Sequence, residues 1–474
     1  MNVIIRKLKA QHFDFSKWAM VCSLLMVLII NFHYNIWDQE GRVIGHDTRS
    51  YYAYLPATFI YHDLSLEFLK NGGGDKLGKG FWGTKSPTGH TVIITSYGMS
   101  LLYSPFFFAA HLIAINSGHP PNGYSKPYLY GLLFSCFFYL ALGVLFLRRF
   151  LLRYFSKTIV GITILITVLS TNMLWYATFE ATMSHVYSFA LISLFIFLLD
   201  KWIDVPTIKI TIGIGLLLGI ISLVRPTNLS IVILILLWKV TSLNDLALRF
   251  TFILKKWYLV LIMLIMFFII WIPQFLYWKF ISGNYIFYSY PESMGFFFSN
   301  PQLYNTMLSW RKGLLIYTPI MVFFIIGIAM LYKNKREFFW PVLVYFIVNW
   351  YVISSWWDWW YGGGLSMRPF IDYYGVYSIG MAAFLTWTLN TGKIKKITLL
   401  SLIIVFSTLG VWNFKKYYGG SIHWAYMTKE AYLDSFWRQY PLPEFYQKIR
   451  KPDYKLAKKG IYKYEDETQE INSN

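Results

Sequence analysis

Asp47, Asp63 and Asp75 stand in the first long loop of a chain whose remainder is largely apolar. A carboxylate held near a membrane surface can take a proton from an acceptor hydroxyl, or bind a divalent cation. Asp47 is the foremost candidate for a catalytic residue. It lies in Gly45-His46-Asp47-Thr48-Arg49-Ser50-Tyr51-Tyr52, shortly after the first apolar run. The competing account of Asp47 is a solvated side chain serving as N-cap of a helix over 48–60.

Arg49, Arg225, Arg311, Lys312 and Arg368 are rare basic residues on the side of the chain where topology disfavours them. A lipid phosphate needs a cationic partner, and arginine can grip it with two bonds. Snorkelling to lipid headgroups is the plainer role for such residues. The densest aromatic patch is Ser355-Trp356-Trp357-Asp358-Trp359-Trp360-Tyr361-Gly362-Gly363-Gly364. Its tryptophans, Trp357 among them, could stack on a sugar, with Asp358 accepting sugar hydroxyls and Tyr361 beside it. Otherwise the patch is an interfacial belt, although the glycines favour a shaped loop. Glu180 and His185 flank a junction between two apolar runs, where a histidine can act as base or substrate contact or can be a satisfied interfacial residue. Asp372 is costly in lipid unless paired, and Arg368 lies four residues earlier, at helical spacing. No Walker loop, G-x-G-x-x-G after a strand, H-E-x-x-H or C-x-x-C occurs, which gives nucleotide hydrolysis and zinc proteolysis no support.

The elements that must carry these groups are membrane helices. The 474 residues are 56% hydrophobic and 14% charged, and apolar runs near the ~20 residues needed to cross a bilayer recur throughout. The expected spans are 18–36, 128–147, 158–176, 185–202, 208–224, 226–238, 257–278, 314–332, 338–355, 373–390 and 397–413. This is an all-α integral-membrane fold of about 11 spans. The stretch 208–238 reads either as two short spans turning at Arg225-Pro226 or as one span and a re-entrant piece. The net charge of +20 does not imply nucleic acid, because the basic residues cluster between apolar runs, where they set topology. Arg6, Lys7, Lys9 and Lys17 place the N-terminus in the cytoplasm ahead of an uncleaved first span. Arg148, Arg149, Arg153, Lys157, Lys201, Lys209, Lys239, Lys333, Lys335, Lys393, Lys395 and Lys396 fall on the same side. Residues 97–115 are apolar enough to span, but a crossing there would invert every later cluster. They are read as a helix lying at the outer interface or dipping in, inside a first outer loop over 37–127 that also holds the turn-rich Asn71-Gly72-Gly73-Gly74-Asp75. The membrane domain then covers 1–413 and an outer tail covers 414–474. Cys22 and Cys136 both fall in spans, so neither a disulfide nor a metal site is expected.

The arrangement resembles the GT-C superfamily of membrane glycosyltransferases, which includes the protein O-mannosyltransferases and the aminoarabinose transferase that modifies lipid A. The resemblance rests on His46-Asp47 in a long first outer loop and on the apolar, non-spanning Ser96-Tyr97-Gly98-Met99-Ser100-Leu101-Leu102-Tyr103-Ser104-Pro105. It looks closest to members from Bacteroidetes-type bacteria, with stretches similar to Arg225-Pro226-Thr227-Asn228, Arg311-Lys312-Gly313, Trp357-Asp358-Trp359-Trp360-Tyr361-Gly362-Gly363 and Ile422-His423-Trp424. The resemblance implies inverting transfer from a polyprenyl-phosphate sugar, on the periplasmic side of a bacterial inner membrane, to a lipid, glycan or protein acceptor. Asp47 would then be the catalytic carboxylate, with Arg368, Arg225, Arg311, Lys312 and Arg49 toward the donor phosphate. His46, Trp357, Asp358, Tyr361, His185 and Glu180 would face sugar or acceptor. Many relatives carry two adjacent acids where this chain has His46-Asp47-Thr48. No organic cofactor is implied. A transporter or flippase of lipid-linked glycans is the competing class.

Overall fold

The computed structural model describes residues 14–39, 41–69, 81 and 83–467. Asp75, the turn-rich patch at 71–75, and Arg6, Lys7 and Lys9 lie outside the described residues. The longer helices, numbered along the chain, are α1 Phe15–His33, α2 Asp47–Phe59, α3 Gly98–Asn116, α4 Lys126–Leu151, α5 Lys157–Leu169, α6 Ser184–Asp204 and α7 Ile208–Val224. They continue with α8 Leu243–Lys255, α9 Trp257–Ser282, α10 Met321–Asn334, α11 Arg336–Ser355, α12 Tyr374–Leu389 and α13 Lys393–Gly419. Among the described residues, seven helices are long and apolar enough to cross a membrane: α1, α3, α4, α6, α9, α11 and α13.

The burial pattern is that of a bundle in an apolar solvent. Helices α6 and α12 are mostly apolar and almost wholly buried at the centre. Helices α1, α9 and α13 leave large apolar side chains such as Leu25, Phe268 and Ile404 exposed on the perimeter. Small residues allow the central contacts. A Cβ on Gly327 of α10 would meet the Gly380 carbonyl of α12 at 1.9 Å.

Ion pairs fix the direction of the helices. Arg148 at the end of α4 holds Asp14 at the start of α1 at 2.7 Å, and Lys126 at the start of α4 holds Asp38 just after α1 at 3.1 Å. The chain between α1 and α4 therefore leaves and returns at one end of the bundle. Helix α3 packs antiparallel on the first half of α4, with Phe107 against Tyr128 and the Tyr139 hydroxyl donating to the Leu102 carbonyl. At the start of α3, a Cβ on Gly98 would meet the Leu223 carbonyl carbon of α7 at 2.4 Å. Within the same segment, Thr84–Lys85 pairs antiparallel with Thr91–Val92.

At the opposite end, Asp200 is fully buried and bound by Arg153 at 2.8 Å and Lys239 at 3.1 Å. Asp204 takes the same two cations. Arg225 and Lys239 thus sit at opposite ends, and residues 226–238 run between them. They do so as a 3-10 turn, Pro226–Ile231, followed by the short helix Val232–Leu237.

Three boundaries differ from the sequence reading. Residues 239–256, read as a loop, contain the amphipathic helix α8, whose start carries a reciprocal cap between Ser242 and Asp245. The segment 314–332 is broken after Leu314–Tyr317, at Thr318-Pro319, before α10 begins. Helix α13 continues past 413 to Gly419, and Gly420, with φ +87°, stops it. The C-terminal segment beyond Gly420, read as an outer tail, folds back over the end of the bundle that holds Asp47. There Ile422, Ala425 and Met427 are buried.

Candidate functional site

The site is built where α2 begins, beside the starts of α6 and α12. The entry to α2 is a tight turn over 41–46. A Cβ on Gly45 would lie 1.9 Å from the Gly41 carbonyl oxygen, so only glycine fits there. His46 follows with a positive φ, +46°, and is itself exposed. His46, not Asp47, occupies the cap position, and it makes no side-chain capping bond. Asp47 is the first helical residue, and its carboxylate points instead to Arg368, whose guanidinium donates to it at 3.2 Å. The Asp47 side chain is 42% exposed and Arg368 is 15% exposed, so a carboxylate open to solvent rests on a largely buried cation. Helix α2 is locked in place by Thr48, which bonds Thr182 at 3.2 Å, and by Tyr51, whose hydroxyl meets Ser184 at 3.4 Å.

Arg368 does not pair with Asp372. Residues Arg368–Tyr373 form a 3-10 turn, and at three residues per turn positions 368 and 372 diverge in direction. Asp372, fully buried, instead binds His185 Nδ1 at 2.7 Å, Arg225 Nε at 3.3 Å and Asn228 at 3.1 Å. Arg225 is thereby committed to a carboxylate. His185 presents its Nε2 with no hydrogen-bond partner among the described residues.

Lys312 is 2% exposed and donates to the Gly364 carbonyl; no carboxylate lies within ion-pair distance among the described residues. Burial, reinforced by Arg368, pulls its ammonium down to about 7. Asp358 is buried as well, and burial pushes its carboxyl up to about 7 against the pull of Arg368, the Gly362 amide and Lys312. The glycine run explains this crowding. Gly364 has φ +142°, and a Cβ there would sit 2.2 Å from the Tyr176 hydroxyl. Tyr176 is fully buried, its ring edge-on to His185 at 5.2 Å. The Tyr176 hydroxyl, Arg368 Nε and Asp358 Oδ1 have no hydrogen-bond partner among the described residues. Buried polar atoms are paired in the large majority of cases, so these three and His185 Nε2, gathered around one loop, mark a place suited to a polar ligand.

The remaining predicted residues are placed differently. Glu180 accepts from Trp175 Nε1 at 2.9 Å and lies close enough to Arg368 and Lys312 to act on both. Tyr361 takes φ +56° at the turn and donates to the Ile353 carbonyl at 3.1 Å. Arg311 turns away from Asp47, with its guanidinium 4.8 Å from the ring centroids of both Trp360 and Tyr464. The Arg49 side chain makes no ion pair or hydrogen bond with a described residue. Trp357, expected to stack on a sugar, is only 6% exposed, packs against Tyr454 and lies under Lys458. The folded C-terminal segment covers this ring, so Trp357 supports the Asp358 loop from behind. Tyr176 and Asn228 were not singled out from the sequence. Their signal was the polar run Ser170–Ser184 between apolar helices and the Asn after Arg225-Pro226-Thr227. Among the described residues, no three His, Cys, Asp or Glu side chains are grouped to hold a metal ion.

No family model matches the chain, and no curated protein matches it. Solved structures are similar to this chain, among them the following two. One is the Archaeoglobus fulgidus oligosaccharyltransferase in the apo form, at 12% identity and TM-score 0.49. The other is the archaeal oligosaccharyltransferase AglB from Archaeoglobus fulgidus in complex with an inhibitory peptide and a dolichol-phosphate, at 12% identity and TM-score 0.47. Each alignment covers 92% of this chain and 59% of the other.

Proposed function

We propose that this chain is a membrane glycosyltransferase that moves a sugar from a polyprenyl-phosphate donor to an acceptor hydroxyl. The reading places about 11 crossings in a bacterial inner membrane, with the N-terminus in the cytoplasm and the Asp47 end facing the periplasm. The observation that carries it is the exposed Asp47 carboxylate set against a largely buried guanidinium, with the Lys312 ammonium, which has no carboxylate partner among the described residues, close by. An anionic phosphate is the natural partner for cations held in this way.

In this mechanism Asp47 accepts the proton of the acceptor hydroxyl. The acceptor oxygen forms its bond to the anomeric carbon as the bond from that carbon to the phosphate oxygen breaks. The electron pair leaves with the phosphate, and Arg368 and Lys312 stabilise the charge that develops there. Attack from the face opposite the phosphate inverts the anomeric centre. Asp358, Glu180 and His185 Nε2 are the groups set to accept sugar or acceptor hydroxyls. Arg225 acts through Asp372, holding His185 in one tautomer and orientation. The acceptor is a lipid, glycan or protein hydroxyl on the same face.

The test is donor choice and stereochemistry. Reconstituted protein is expected to transfer from a polyprenyl-phosphate sugar and not from a nucleotide sugar, giving a product of inverted anomeric configuration by NMR. Transfer from the nucleotide sugar, or a retained configuration, contradicts the mechanism. Movement of the lipid across the bilayer without transfer supports the flippase.

A further inference from the structure

The C-terminal segment makes a hook that returns toward the membrane. After α13 ends, the chain passes over the site, forms the short helix Lys429–Asp434 and then descends beside the last turns of α13. The Phe436 carbonyl accepts from Trp412 Nε1 at 2.7 Å, and the Ser421 hydroxyl donates to the Arg438 carbonyl at 2.7 Å. Lys416 of α13 fixes the hook from beneath, its ammonium 4.4 Å from the Tyr432 ring centroid and 5.4 Å from that of Phe436.

The depth of this hook can be read from α13. No charged residue occurs between Lys396 and Lys415. At 1.5 Å per residue that stretch is about 27 Å long, close to the ~30 Å of a bilayer's hydrocarbon core. Lys415 therefore marks the boundary at the site end, and Trp412, one turn inside it, is where the hook is attached. Trp437 follows directly and is 80% exposed, and Tyr440 is 65% exposed. Leu433 is exposed beside them. Tyr440 stands near Tyr34 at the end of α1, which itself packs on Tyr418 of α13. The hook thus continues the apolar perimeter of α1 and α13 and does not face the site.

We propose that residues 433–440 form a membrane anchor, with Trp437 and Tyr440 seated in the headgroup region of the leaflet at the site end. Amphipathic rings are favoured at that depth. The anchor would fasten to the bilayer the segment that covers the Asp358 loop. The inference rests on α13 being a membrane helix and not on the chemistry at Asp47, so its test needs no activity.

In full-length protein with exposed Cys22 replaced by serine, and with buried Cys136 left in place, a nitroxide is attached at Trp437→Cys. References are Ile404→Cys on the perimeter of α13 and Lys459→Cys on the covering segment. In lipid bilayers, collisions with oxygen relative to a water-soluble nickel complex are expected to be higher at 437 than at 459 and lower than at 404. A ratio at 437 equal to that at 459 overturns the anchor. If Trp437→Cys does not fold, Tyr440→Cys decides by the same comparison.

Discussion

Lys312 allows the sharpest stability prediction, because the site keeps it at a cost. Its ammonium is 2% exposed and has no carboxylate within ion-pair distance among the described residues. Burial takes its pKa from 10.5 down to about 7. A cation whose folded value is depressed destabilises the fold wherever the folded state must carry the charge. The cost is complete below about pH 7 and is relieved as pH rises toward 10.5, because in that window the unfolded chain binds the extra proton. A drop of that size corresponds to a cost on the order of 5 kcal/mol at neutral pH, taken as an upper bound. Lys312→Met removes the charge and keeps the length of the side chain, and the cost relieved exceeds the about 1–3 kcal/mol of leaving the Gly364 carbonyl without its donor. The expected result is a variant that unfolds at higher temperature than wild type at pH 7 and loses sugar transfer. Its advantage should shrink steadily between pH 7 and 10. Thermal unfolding followed in detergent across that range reads the difference. A variant less stable than wild type at pH 7, with a parallel pH profile, would refute the reasoning. Lys312 would then be a well-compensated structural residue.

Asp358 predicts the mirror image. Its carboxyl is raised from 3.8 to about 7, so its cost is complete above about pH 7 and disappears as pH falls toward 4. Asp358→Asn should be the more stable protein at pH 7.5, with an advantage that fades by pH 5 in the same unfolding assay. Asp372 behaves oppositely, because it is paired. Asp372→Ala strands Arg225 and His185 in a buried setting and should cost about 3–5 kcal/mol. Asp372→Asn, which retains one acceptor oxygen, should recover part of that loss in chemical denaturation.

The parts of the molecule written in single-residue properties were legible. Apolar runs located the helices, and basic clusters sorted the ends. Arg148, Arg153 and Lys239 do gather at one end, while Arg225, Lys312 and Arg368 gather at the other. Asp47 stood out because it comes soon after the first apolar run. What sequence spacing could not show was which cation each acid takes. The Asp47–Arg368 pair joins residues 321 positions apart. The local i to i+4 pairing of Arg368 with Asp372 failed because that stretch is a 3-10 turn. Trp357 looked like a sugar platform because nothing in its own segment announces that Tyr454 will cover it. Helix α8 was legible in principle, from Ser242 and Asp245 ahead of an amphipathic stretch.

The central claim is tested most directly by sugar transfer in proteoliposomes. The assay uses radiolabelled polyprenyl-phosphate sugar and a cell-envelope extract as acceptor, and compares wild type with Asp47→Asn. The substitution keeps the size of the side chain and leaves an amide oxygen facing Arg368, so the fold should persist by circular dichroism. Removing a general base should lower the rate by about 100-fold or more. Equal transfer by both proteins would take Asp47 out of the mechanism and contradict the account.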